Sequence, residues 1–436
     1  MSYPDDSPKS AALYQRALKS LPGGNTRTTV YFMPFPLYAQ RGKGCRVWDV
    51  DGASRIDCIN NFTAGIHGYG HPAITEAVSR QLSLGTAFGM PTSSEIDLAE
   101  LLCERVPSVE RVRFMNSGTE AVMMALKAAR ARTGRSKIAK CEGAYHGSYD
   151  YAEVSLDPSP ATWGENRPVS VAYAQGTPRG VLDDVIVIPF NDADAAAELL
   201  RPHRADLAAI LVDPMPSRAG LAPADPAFIQ SLRALADDSG SLLIFDEVIS
   251  FRLGYNGAQT LWGTRADLTC FGKIIGGGFP VGAVGGRADV MSVFDPRSGK
   301  PVLPHGGTFS ANPVTMSAGL ASMQLLTPTA FAHLQQLGDQ LRTAVTRQFR
   351  AKGIAGGTTG GGSLLQIYIG DRHIRDYRSA YLDADATRRM TLFFHGLLDH
   401  GVLAASNGLM ALSTAMTGAD IEAVSDTVGR ALEYVR

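Results

Sequence analysis

Between about residues 65 and 310, short apolar runs alternate with longer stretches in which apolar positions recur at helical spacing. The runs are "RVRFM" (111–115), "KIAKC" (137–141), "VIVIPF" (185–190), "AAILVDP" (208–214) and "SLLIFDE" (241–247). Between them lie segments such as "EAVMMALKAARAR" and "DPAFIQSLRALADD". A strand buried on both faces has no polar side to alternate. Unbroken apolar runs separated by helices therefore predict a mostly parallel sheet covered on both faces. Upstream, Ala12, Leu13, Ala17 and Leu18 give residues 10–21 a helical spacing that stops at Pro22-Gly23-Gly24. "CRVWDVDGASRIDCI" reads as a hairpin turning at Asp51-Gly52. After residue 313 the pattern predicts a helix, a long helix over 330–352, a glycine break over 353–362, a strand in "SLLQIYI" and a terminal helix. The expected fold class is α/β in three parts: an N-terminal segment (1–64) joining a small domain, a large domain (65–312) and a smaller α+β domain (313–436).

Composition narrows the function. Hydrophobic residues make up 45% of the 436 and charged residues 19%, the balance of a large globular enzyme with a sizeable core. A formal net charge of −1 leaves no electrostatic footprint for nucleic acid or an anionic membrane surface. The five cysteines (Cys45, Cys58, Cys103, Cys141 and Cys270) are scattered without a C-x-x-C pair, as in a reducing compartment and not in a disulfide framework or zinc site. "MSYPDDSPKS" lacks the basic and apolar regions of a signal peptide. No uncharged apolar run reaches membrane-spanning length. A cytoplasmic protein is expected.

In open α/β sheets, ligands bind beyond the carboxyl ends of the strands, so the residues placed there carry the chemistry. After 111–115, Ser117, Gly118 and Thr119 open a strongly helical segment, offering backbone N–H groups and hydroxyls at a positive helix end. That suits a phosphate, and it equally suits an ordinary N-cap. After 137–141, Tyr145 and His146 lie between glycines, where an aromatic ring can lie flat on a ligand or simply pack. Asp246 ends the run from Leu242 to Phe245. A buried carboxylate there needs a cationic or hydrogen-bonding partner, either an arginine or a protonated ring nitrogen. Lys273 follows "LTCFG" and precedes Gly276-Gly277-Gly278. Partial burial there would make it a usable amine nucleophile, with the glycines allowing close backbone approach. A phosphate anchor, a flat aromatic, a carboxylate and an amine are together the parts of a pyridoxal phosphate site.

The motifs "RFMNSGTEA", "AYHG", "IFDEV", "DLTCFGKIIGGGFPVGAVGGRADVM" and "GGTFSANP" carry a resemblance over most of the chain. The sequence resembles the class III aminotransferases among the fold-type I pyridoxal phosphate enzymes, in the branch of the glutamate-1-semialdehyde aminomutases and β-amino-acid aminotransferases. The resemblance implies that Lys273 bonds covalently to the cofactor and shuttles the proton. It implies that Asp246 pairs with the pyridinium nitrogen, Val248 packs behind the ring and Tyr145 stacks in front. Ser117, Gly118 and Thr119 would hold the phosphate, with His146 in the same cofactor shell. Thr308 of "GGTF" would reach the phosphate of a neighbouring subunit, making a homodimer the working unit. The implied reaction takes nitrogen from a small-molecule amino donor and passes it to an oxo acceptor.

For the substrate, "GGNTRTTVYFMPFPL" places Arg27 where β-amino-acid aminotransferases similar to this chain bind a carboxylate. A guanidinium fork fits that bidentately. The chain departs from the family in three places. "VDPMPSRAG" has Asp213 in place of the usual Glu and adds Arg218, either a second carboxylate contact or the partner of a local acid. "AASNGLMALST" lacks the arginine found before this Gly in some β-amino-acid enzymes. Residues 153–183 are longer and more polar than an aminomutase gating loop. The leading expectation is transfer from a carboxylate-bearing amine, such as a β-amino acid, to a 2-oxo acid. The alternative is the intramolecular transfer of glutamate-1-semialdehyde 2,1-aminomutase.

Overall fold

A computed structural model describes residues 3–435, in two compact units. The larger comprises Pro72–Phe331 with His373–Tyr381, and the smaller comprises the chain up to His71, Ala332–Arg372 and the chain from Leu382.

The larger unit is built on seven strands: β1 (Arg111–Met115), β2 (Lys137–Cys141), β3 (Val185–Ile188), β4 (Leu207–Val212), β5 (Leu242–Asp246), β6 (Leu268–Gly272) and β7 (Gly282–Gly286). Their order across the sheet is β1-β7-β6-β5-β4-β2-β3. The neighbours β6-β5-β4-β2-β3 are parallel, and β7 runs antiparallel to both β6 and β1. Every residue of β4, β5 and β6 is buried, as strands covered on both faces require. β7 is the strand that strand propensity misses, because its sequence is "GAVGG". A Cβ on Gly282 would come within 1.9 Å of the Ser117 carbonyl oxygen, so a side chain at this position would block the close pairing with β1. The helix α1 (Gly118–Thr133) buries Val122, Met124, Leu126 and Ala129 against this sheet.

Asp267 fastens the amino ends of β5 and β6. Its buried carboxylate accepts from Leu243 N, Arg233 Nη1 and Arg287 Nη1, each at 2.8 Å.

The smaller unit holds a four-stranded sheet, Ala39–Lys43, Arg46–Asp49, Ser54–Asp57 and Val402–Leu403, in that order. Its second sheet has three strands, Gly356–Gly361, Leu364–Ile369 and Leu409–Ala411. The expected glycine break is thus partly a strand, paired antiparallel with Leu364–Ile369. The rings of Phe349 and Tyr368 occupy the space that side chains at Gly356 and Gly357 would take.

The boundary expected at residue 313 falls later. Helix α2 (Pro313–Leu325) belongs to the larger unit, burying Met316, Ala318 and Met323 and packing on helices Pro72–Leu84 and Ser93–Arg105. Among the described residues, no helix is long and apolar enough to cross a membrane.

Candidate active site

The carboxyl ends of β1, β2, β4, β5 and β6 bring together most of the residues singled out in the sequence. Asp246 closes β5 with 4% of its surface exposed. Its Oδ1 accepts from Val248 N at 3.0 Å, and its Oδ2 lies 2.7 Å from His146 Nδ1. Burial lowers the His146 pKa below its ordinary value, so the ring is neutral at pH 7. A neutral ring facing a carboxylate must carry its proton on Nδ1 and donate it. Its other nitrogen, Nε2, is buried with no hydrogen-bond partner among the described residues. A buried polar atom of this kind marks a place where a ligand or water completes the network.

Asp213, one residue beyond β4, is the second buried carboxyl. Burial, and then the Asp246 carboxylate, push it up to about 8, against the opposing Lys273 ammonium. It accepts from Met215 N at 2.9 Å. At neutral pH it is therefore protonated, which leaves Asp246 as the carboxylate of this cluster able to balance a cation.

Lys273 begins the turn after β6 with φ +50°, a left-handed conformation uncommon for a residue with a side chain. Strain of this kind persists only where surroundings hold it, and it clusters at functional sites. The following glycines turn the chain beneath α2, where Gly277 packs on the Ala318 carbonyl. The side chain of Val248 fills the space between Gly118 and Gly272; a Cβ on Gly118 would meet both its methyls at 3.1 Å.

Ser117 is the N-cap of α1, its Oγ accepting from Glu120 N at 3.2 Å. The first-turn N–H groups of Gly118 and Thr119 have no intrahelical acceptor by the geometry of a helix start. A 16-residue helix adds its dipole there, favourable to an anion. Thr119 Oγ1 accepts from Ser148 N at 3.2 Å and so joins the helix start to the Tyr145-His146 loop. Tyr145 is 45% exposed, with its pKa raised by burial and a contribution from Asp246. An amine, a carboxylate, an open aromatic face and an anion-ready helix end are the donor set that pyridoxal phosphate requires, and these residues fit it.

The other candidates are placed differently. Arg218 pairs with Asp157, the local acid of the two possibilities, and its Nε is buried without a hydrogen-bond partner among the described residues. Thr308 is exposed, in the segment after Gly306-Gly307. Arg27 belongs to the smaller unit, where Nη1 donates to Asn61 Oδ1 at 2.6 Å and the guanidinium lies 5.2 Å from the Phe62 ring centroid. Asn60, Asn61, Phe62 and Thr63 all have positive φ, a left-handed turn that presents these partners. Two residues escaped the sequence reading. Lys140 is fully buried in β2, donates to Val154 O at 2.7 Å and is pushed down to about 7 by burial; a charge inside an apolar run was its signal. Glu142, 4% exposed, is bound by Arg378 from far along the chain, and nothing local announces that pair.

The aminotransferase class-III family model matches residues 29–422. An omega-transaminase from Sphaerobacter thermophilus has a similar fold, with a TM-score of 0.97 and 53% identity over 100% of this chain and 99% of that one. The glutamate-1-semialdehyde 2,1-aminomutase of Methanopyrus kandleri is 39% identical, covering 99% of each chain. The β-phenylalanine transaminase of Variovorax paradoxus is 38% identical, over 98% of this chain and 93% of its own.

Proposed function

We infer the function from the family: the chain belongs to the class III aminotransferases, enzymes that use pyridoxal phosphate to carry nitrogen between a small amino donor and an oxo acceptor. From that premise we propose that it takes the amino group from a carboxylate-bearing amine, with a β-amino acid as the favoured class, and delivers it to a 2-oxo acid. The observation that carries the site assignment is the convergence of Asp246, His146, Asp213 and Lys273 at neighbouring strand ends.

When bound, pyridoxal phosphate supplies an aldehyde for amines and a ring that withdraws electrons from the carbon next to nitrogen. The chain supplies the rest. Lys273 Nζ would anchor the cofactor and, when free, would take the proton from the amine-bearing carbon and give it up at the carbon on the other side of that nitrogen. Asp246, held by the Nδ1–H of His146 and the N–H of Val248, would accept from the protonated ring nitrogen. Ser117, Gly118 and Thr119 would hold the phosphate, Val248 would back the ring and Tyr145 would cover it. Arg27, exposed and oriented by Asn61, is assigned to the substrate carboxylate. Arg218 serves through its pair with Asp157.

The experiment is a donor and acceptor panel led by β-phenylalanine. A donor alone should convert the bound cofactor stoichiometrically to its amino form, and a separate 2-oxo acid should restore it. The competing reading is the aminomutase, favoured by the 39% identity to such enzymes. Turnover of glutamate 1-semialdehyde, with no response to any donor, would establish that reading and end the present one.

We assign the working unit as a homodimer. Large apolar side chains stand in solvent on the larger unit, among them Leu84, Phe88, Met90 (75% exposed), Val302 (73%) and Phe309. The two segments adjoin, since Asn312 Nδ2 donates to Thr86 O at 2.6 Å. Exposed apolar area on this scale marks an association surface. Thr308, in its midst, is assigned to the phosphate of the partner subunit. Sedimentation equilibrium is expected to give twice the 46.4 kDa chain mass, and Thr308→Ala to weaken cofactor retention. A monomer that holds the cofactor as tightly as the native enzyme would overturn both assignments. We infer a cytoplasmic enzyme, a reading that the five unpaired thiols support.

A further inference from the structure

Residues His373–Tyr381 pack as part of the larger unit, although the chain before and after them belongs to the smaller one. The excursion is internally braced. Asp376 and Ser379 cap its turn, Tyr377–Ala380, reciprocally, and Asn191 Nδ2 donates to Arg375 O at 3.0 Å. Its side chains converge on the segment that follows β2. Arg378 grips the buried Glu142 with both arms of its fork, Nε to Oε2 at 2.7 Å and Nη2 to Oε1 at 3.0 Å. The same guanidinium donates to Trp163 O at 2.7 Å and lies over the Trp163 ring, 5.0 Å from its centroid. Tyr377 OH shares its proton between Pro158 O at 2.8 Å and Asp157 Oδ1 at 3.1 Å, and Asp157 in turn holds Arg218. The Tyr377 ring presses on Gly143, where φ is +70° and a Cβ would fall 1.9 Å from Cδ2. Only glycine satisfies both constraints.

Glu142 and Gly143 stand just ahead of Tyr145 and His146. We propose that residues 373–381 are a strap whose Arg378–Glu142 clasp fixes the placement of Tyr145 and His146 against the cofactor. Arg378 and Tyr377 are then positioning residues, acting through the loop. The inference rests on the cofactor site assigned above. Its physical basis is that a bidentate pair is directional, and that Glu142 without its partner would be a buried, unpaired carboxylate. The loop must move to hydrate that carboxylate, and Tyr145 and His146 move with it.

The test uses the holoenzyme of Arg378→Met, which keeps the stem and removes the fork, and of Arg378→Lys, which restores a charge without the fork. Two readouts are independent of turnover: the rate of pyridoxal phosphate loss on gel filtration, and the visible circular dichroism per bound cofactor. Arg378→Met is expected to release cofactor more than about tenfold faster, with an altered visible dichroism, because small misplacements of site groups are amplified. It should lower kcat more than it raises KM, and Arg378→Lys should fall between. Native release and native dichroism in Arg378→Met would overturn the strap. Should that variant not fold, Tyr377→Phe replaces it: faster release supports the strap and native values in both readouts overturn it. Failure of the native enzyme to take up pyridoxal phosphate would instead strike the cofactor assignment.

Discussion

Lys273→Ala is expected to abolish the covalent link to pyridoxal phosphate and to lower turnover by on the order of 10⁴-fold or more, since one side chain is assigned both the anchoring amine and the proton transfer. Reduction of the native holoenzyme with borohydride should add the mass of the cofactor to the peptide containing Lys273, and the variant should show no such addition. Alternative amines can be weighed from the structure. Lys140, although its pKa is pushed down to about 7, is fully buried and committed to the Val154 carbonyl. Lys273 lies at a strand end in a left-handed conformation, and its ammonium is felt by Asp213. Persistence of a reducible adduct in Lys273→Ala, with activity near native, would remove the central assignment. Loss of the adduct with cofactor still bound noncovalently is the expected pattern, because the contacts proposed for the phosphate, the ring and Asp246 do not depend on the amine.

Much of this was legible in the chain itself, for identifiable reasons. The runs now seen as β3, β4 and β5 are legible because buried parallel strands are apolar throughout, whereas β1, with Arg111 and Arg113, and β2, with Lys137 and Lys140, are read from their place in the alternation with helices. Asp246 stands out because a carboxylate at the end of such a run demands a partner. The polarity of the sheet then tells which end holds the site. What escaped depends on groups distant in sequence. β7 is glycine-rich, and its strand character comes from Ser117 and β1 lying too close for side chains. Glu142 reads as an ordinary loop acid until Arg378, 236 residues later, is found on it. Arg218 offered two readings in the sequence, and its neighbour Asp157 is 61 residues away. Helix α2 looked like the opening of the C-terminal lobe, since a helix buried on nearly every side gives no sign of which unit it serves.

Asp246→Asn should separate the two buried carboxyls of the site. The substitution keeps the shape and an acceptor for the Nδ1–H of His146, and it removes the charge assigned to balance a protonated ring nitrogen. A group aimed at developing charge in a water-poor site is worth about 10²–10³ in kcat, so a loss of that size is expected at every pH where the native enzyme works. Asp213→Asn should behave differently. The native Asp213 carboxyl is pushed up to about 8, first by burial and then by Asp246, so below that pH it is already uncharged. An amide in its place changes little at pH 7. As pH rises through about 8 the native residue ionises, placing a second negative charge beside Asp246 and Lys273, whereas the variant stays neutral. The two pH–rate profiles should therefore coincide on the acid side and diverge above pH 8. In Asp246→Asn the second of the two upward pushes is gone, so Asp213 ionises at lower pH than in the native enzyme. Asp213 can then lend part of the missing charge, and the activity left in that variant should rise with pH before native Asp213 begins to ionise. A flat residual activity there, or a large loss at pH 7 in Asp213→Asn, would mean that the roles assigned to the two carboxyls are wrong.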